Sequence, residues 1–151
     1  MSQVKTELWS QIVGQFVECQ VGKSPSNSAG ELGDYLVVYA LELGADVRTV
    51  DLRSVTETAD ALMILAKRLD FPDYFGQNLD ALYDITGEYA DTFQTRLDAR
   101  DGSVPQVWLI HSNLAQEKIL FPVLDTLRDA MRSISSGVGL SIVSVVDSYQ
   151  S

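Results

Sequence analysis

Val4, Leu8, Ile12 and Phe16 recur every four residues, with Trp9, Val13 and Val17 beside them. That spacing predicts an amphipathic helix over about residues 3–19. Lys23 to Gly33 is rich in Ser, Gly and Pro and reads as a loop. Tyr35–Leu43 and Val47–Leu52 are β-branched and aromatic runs either side of Gly44-Ala45-Asp46, the pattern of a hairpin. Ser54-Val55-Thr56-Glu57 has capping-box spacing, and Ala59, Leu62, Met63, Ala66 and Leu69 follow at helical intervals. Pro72 ends that helix, Gly76 permits a turn, and Asn78 is a good N-cap for a second helix running to about Phe93. Arg96–Pro105 reads as a polar loop, Gln106–His111 as a buried strand, Pro122–Ile134 as a helix and Leu140–Val146 as a strand. Helices alternating with strands predict an α/β fold.

Composition narrows the class. With 151 residues the chain suits a single domain, and 46% hydrophobic content argues against disorder. No run approaches a membrane span, and no apolar signal core follows Met1. Cys19 is the sole cysteine, which favours a reducing, cytoplasmic setting and a small buried thiol over a nucleophile. Against 11 Lys and Arg stand 21 Asp and Glu, a net charge of −10. Nucleic acid and anionic membranes are disfavoured partners, and a cationic one is favoured.

The acids are not spread evenly. From Asp70 to Asp91 the chain carries Asp70, Asp73, Asp80, Asp84, Glu88 and Asp91 with no Lys, Arg or His, interleaved with Phe71, Tyr74, Phe75, Tyr83 and Tyr89. On a helical wheel Leu79, Leu82, Ile85 and Tyr89 share the core arc. Asp80, Asp84, Gly87 and Asp91 fall at i, i+4, i+7 and i+11 on the opposite face, bordered by Tyr83 and Glu88. Like charges at i,i+4 cost about 0.2–0.5 kcal/mol per pair, and Asp is a poorer helix former than Glu. Short Asp side chains present a carboxylate rigidly, so the stripe suits binding a basic surface better than mere solubility. Gly87 either lets a partner backbone approach closely or marks an early helix end.

The run Phe71-Pro72-Asp73-Tyr74-Phe75-Gly76-Gln77-Asn78-Leu79-Asp80-Ala81-Leu82-Tyr83-Asp84 resembles the signature of the barstar family, intracellular inhibitors of secreted ribonucleases. The resemblance extends over about residues 47–146. It implies a barstar-like core at 46–151, with a three-stranded parallel sheet flanked by helices. Residues 1–45 would extend the same domain by a helix, a loop and a probable extra strand. It also implies the site. Asp84 would stand in for a substrate phosphate, Asp80 would pair with a neighbouring cation, and Tyr74 would stack on the nuclease's histidine. Gly76 and Asn78 would make backbone and amide contacts, Tyr83 would pack at the rim, Gly87 and Glu88 would continue the surface, and Asp129 would add a contact from a later helix. The implied partner is a basic ribonuclease or nuclease toxin in a one-to-one complex, with neither cofactor nor metal. Gln77 stands where the family has an acid, Tyr83 where it has Trp, and Phe75 lacks a hydroxyl. A longer charged segment at Asp91–Pro105 also departs from it. These differences point to a different nuclease.

Two rival readings fit parts of the pattern. Asp80 and Asp84 could serve as an acid–base pair or hold Mg²⁺ or Ca²⁺, but no motif supplies converging partners, and the lone His111 reads as a core or strand-end histidine. Alternatively the acidic face binds another basic protein, such as a deoxyribonuclease toxin, without ribonuclease inhibition.

Overall fold

A computed structural model describes residues 13–21, 42, 44–100, 102–134 and 137–147. Four strands, β1 (Phe16–Val21), β2 (Asp46–Asp51), β3 (Gln106–Asn113) and β4 (Leu140–Asp147), form one sheet in the order β1-β4-β3-β2. Every neighbouring pair is parallel. The helices are α1 (Thr58–Arg68), α2 (Leu79–Ala99) and α3 (Glu117–Ser133), the last preceded by a 3-10 turn at Leu114–Gln116.

Register explains the layering. Arg48 lies opposite Trp108, Trp108 opposite Ile142 and Ile142 opposite Phe16, so these share one face of the sheet. Val50, Trp108, Ile110, Leu140 and Ile142 on that face form one core with Leu62 and Leu65 of α1, Leu82 and Ile85 of α2, and Leu120, Val123 and Leu127 of α3. On the other face Val107, Leu109, Val143 and Val145 are buried as well. The two central strands thus read as near-continuous apolar runs, as strands covered on both faces should. His111, on β3, is buried.

The sheet has four strands rather than three, and the fourth comes from an unexpected place. Residues 16–19, expected to finish an N-terminal helix, are extended and carry Cys19 within β1. Gly14 takes a φ of +71° and donates its N–H to Ser141 Oγ at 2.7 Å. That turn breaks any helix, after which Phe16 and Val17 suit an edge paired along β4. Phe16 continued the four-residue spacing by coincidence of period. Residues 3–12 and nearly all of 35–43, hence the rest of the expected helix and the hairpin partner, lie outside the described residues.

Three boundaries also move. The capping box at Ser54–Glu57 does not form: α1 starts at Thr58, and its N-cap Glu57 makes no side-chain bond. The buried Gln116 amide donates to Leu52 O (2.6 Å) and Val55 O (2.8 Å), holding the preceding segment out of the helix. α3 starts five residues before Pro122, which sits in its second turn. There a proline leaves only the Lys118 carbonyl without its helical donor, and Lys118 faces solvent. α2 runs on to Ala99, past the expected end at Phe93, and closes on Arg100 at φ 55°.

At the end of β2, Arg53 grips Asp51 with both ends of its guanidinium, Nε to Oδ1 at 3.0 Å and Nη2 to Oδ2 at 2.9 Å. This hydrogen-bonded pairing lowers the Asp51 carboxyl from 3.8 to about 2, against an opposing push from partial burial. A depressed acid stabilises the fold above its ordinary titration and loses that contribution as pH falls toward 2. The pair is half exposed, so Asp51→Asn should cost no more than about 1 kcal/mol at pH 7. Urea melts of both proteins should converge as pH falls from 4 to about 2; a gap that persists there would assign the loss to something other than charge.

Candidate functional site

The loop Asp70–Asn78 and the first half of α2 form the site, and the aromatics beneath it explain its shape. Phe71 packs edge-on to Phe75 (ring centroids 4.9 Å apart) and to Tyr89 (5.5 Å), and lies 5.9 Å from Trp108. Trp108 is fully buried, and its indole N–H donates to Gln106 Oε1 at 2.7 Å. The loop therefore rests on an aromatic platform rooted in β3. Its backbone is tied to the end of α1 by Phe71 N to Ala66 O and turned on itself by Phe75 N to Pro72 O, each 2.9 Å.

Asn78 caps α2 as expected: its Oδ1 accepts from Ala81 N at 2.8 Å, while its Nδ2 donates to Gly76 O at 3.3 Å. The left-handed residue of this turn is Gln77, at φ 52°, not Gly76. What Gly76 supplies is room, since a Cβ there would lie 3.2 Å from Asn78 Nδ2 and 3.5 Å from Ala81 Cβ. Gly87 does not end the helix. It lies mid-helix, and a Cβ added to it would meet nothing within 4 Å.

On α2 the wheel holds. Leu82 and Ile85 are buried, Leu79 and Tyr89 are half-buried against the core, and Asp80, Asp84, Glu88 and Asp91 are exposed. Tyr74 is 70% exposed and Tyr83 39%, so two aromatic rings flank the carboxylates in solvent. Among the described residues Asp73, Asp80, Asp84 and Asp91 form no ion pair; Arg48, from β2, pairs with Asp46 at 3.2 Å and with Asp70, at the start of the loop, at 3.6 Å. An unneutralised row of acids on one rigid helix is an electrostatic receptor for cations. Asp129 sits apart, exposed on α3, with no hydrogen bond or ion pair to the Tyr74–Glu88 set.

Two tyrosine latches go beyond what the sequence pattern predicts. Tyr74 donates its hydroxyl to Glu88 Oε1 at 2.8 Å, and Tyr89 donates to the Asp70 carbonyl at 2.6 Å. Together they pin the start and the middle of the loop to α2. The Tyr89 latch was discoverable, because a tyrosine on a core arc needs a partner for its hydroxyl. Glu88 holds the Tyr74 phenol above its ordinary value of 10 by accepting its proton in a hydrogen bond. Glu88→Gln should bring the Tyr74 titration back toward 10 in ultraviolet difference spectra; an unmoved curve would mean the bond is not populated in solution.

Among the described residues no group of three or more His, Cys, Asp or Glu is arranged to hold a metal ion, and no helix is long and apolar enough to cross a membrane. The family profile described as Barstar (barnase inhibitor) matches residues 45–145. No curated protein matches the chain. A solved structure of the ORC2 protein of Aeropyrum pernix, in ADPNP–ADP complexes, superposes with a TM-score of 0.53 at 12% identity, covering 98% of this chain and 39% of that one. At that identity the likeness is one of fold, and this chain spans well under half of that protein. The profile match runs from the start of β2 almost to the end of β4 and contains the whole acidic site. The chain belongs to the barstar family.

Proposed function

We propose that this protein is a ribonuclease inhibitor, acting as an immunity protein against a basic ribonuclease or ribonuclease-like toxin in the cytoplasm of the cell it protects. It is not itself an enzyme. The observation that carries the reading is the unneutralised stripe Asp80–Asp84 on α2, flanked by exposed Tyr74 and Tyr83, within a chain of this family.

The mechanism is occlusion by mimicry. A ribonuclease active site is built from cations that hold an RNA phosphate, and a carboxylate on a rigid helix satisfies the same donors. Asp84 occupies that position, at the centre of the stripe. Asp80, one turn earlier, meets a second cation, and Tyr74 covers the nuclease's histidine. Gly76 and Asn78 line the approach, Tyr83 and Gly87 border it, and Glu88 keeps Tyr74 in place. Asp129 adds a contact at the margin.

Because the loop is tied down by the Tyr74 and Tyr89 hydroxyls and the Asn78 cap, little ordering entropy remains to be lost on binding. Clustered acids steer a basic partner, a rule drawn in part from this family's own nuclease–inhibitor pair. Partner and inhibitor combine one to one, with neither nucleic acid, membrane nor cofactor involved. The test is RNA cleavage by basic ribonucleases of the barnase type: activity should fall linearly to zero at one equivalent of inhibitor. Binding of a basic deoxyribonuclease with RNA cleavage untouched would favour the rival reading.

A further inference from the structure

At the far end of the acidic stripe, α2 borders a crevice of about 270 Å³ whose walls include Gly87, Ala90 and Asp91 of α2, Met131 and Ile134 of α3, and Leu140 of β4. Its rim is a built structure. Gln94 Oε1 accepts from Val138 N at 2.7 Å and Gly139 N at 3.1 Å, fastening the loop before β4 to α2. Small residues are required for that closeness, as a Cβ at Gly139 would fall 2.6 Å from Gln94 N. Yet at Gly87, on the open wall, a Cβ would meet nothing within 4 Å. The helix gives up propensity at this position without any internal packing need.

We propose that this crevice is a second anchor point that accepts a single arginine side chain of the basic partner, alongside the phosphate-mimicking stripe. The proposal rests on the reading of α2 as the partner-binding face. Charge selects the occupant. Asp91 lies on the wall and forms no ion pair among the described residues. The C-terminal turn of α3, at Met131–Ile134, presents the negative end of the helix dipole, although the Met131 carbonyl already accepts from Ile134 N at 3.3 Å. Arg132 of that turn borders the neighbouring hollow with Phe16 and Arg128, not this one. Apolar walls of Met131, Ile134 and Leu140 suit a methylene stem, and the two oxygens of the Asp91 carboxylate suit a forked guanidinium better than an ammonium. Met131 adds a lining that adapts to the stem.

The probe is N-acetyl-arginine amide, titrated into ¹⁵N-labelled protein, with N-acetyl-citrulline amide as its uncharged counterpart. The expected result is saturable, millimolar shifts at Gly87, Asp91, Gln94 and Gly139, absent with citrulline. Affinity should fall at least fivefold in Asp91→Asn and be lost in Gly87→Leu, which fills the space. Gly87→Ala is the second variant: it should raise Tm by about 2–4 °C while weakening the arginine shifts. Non-saturating shifts spread over Asp80 and Asp84, or shifts unchanged in both Gly87 variants, would overturn the proposal. An RNA-cleavage assay with an Asp84 variant fails or succeeds independently of this titration, so the two readings fall separately.

Discussion

Asp84→Ala should weaken ribonuclease inhibition by about 2–5 kcal/mol, the general range for removing one member of a desolvated charge pair, which draws partly on this family's own complex. Asp84 is exposed, accepts no hydrogen bond among the described residues, and sits mid-stripe between Asp80 and Glu88. Truncating it therefore strips no bond of the described residues from the fold, and removes two like-charge pairs at i,i+4, with Asp80 and Glu88, each worth about 0.2–0.5 kcal/mol. Equilibrium melts should be level with or slightly above the wild type while inhibition collapses. Asp80→Ala should follow in the same sense with a smaller loss, because Asp80 lies in the first turn, where the helix dipole already favours it. If both variants melt normally and inhibit fully, the acidic face is not the binding surface.

The largest effect on stability is expected at Trp108. Its side chain is fully buried between the sheet and the loop platform, near Phe71 and Tyr89. Trp108→Ala leaves a cavity there and should cost about 3–5 kcal/mol. Part of total stability for a domain of this size, about 5–15 kcal/mol, would remain. The physical consequence reaches the site, because Phe71 and the Tyr89–Asp70 latch lose their backing. Inhibition should then weaken even under conditions where the variant is fully folded. Urea denaturation and inhibition measured on the same sample separate the two effects. Trp108→Phe keeps most of the volume and should recover most of both; a variant that binds normally despite the lost stability would show the loop to be rigid without its platform.

Much of the site could be read from the chain because helical periodicity on α2 is strong. Leu82 and Ile85 point inward, Asp80, Asp84 and Asp91 outward, and Asn78 caps, each following from local chemistry alone. The failures are tertiary. Phe16 fits a helical spacing until Gly14 turns the backbone and β4 offers a parallel edge, neither visible in a local window. The start of α1 is set by Gln116, some sixty residues away, through its bonds to Leu52 and Val55. Gly76 reads as the turn residue because glycine turns most cheaply, whereas the structure puts the left-handed residue at Gln77 and uses Gly76 for close approach. The crevice beside Gly87 depends on α3 and the loop before β4 meeting α2, so no motif on one segment could announce it.

The central claim is tested most directly by affinity capture from the source cells with two baits, the wild type and the Asp80→Ala/Asp84→Ala double variant, each bound fraction being assayed for RNA cleavage with and without added inhibitor. The account predicts a basic ribonuclease held by the wild type alone, its cleavage stopped at one equivalent of inhibitor. Equal capture by both baits, or a captured nuclease whose RNA cleavage continues with inhibitor in excess, would contradict it.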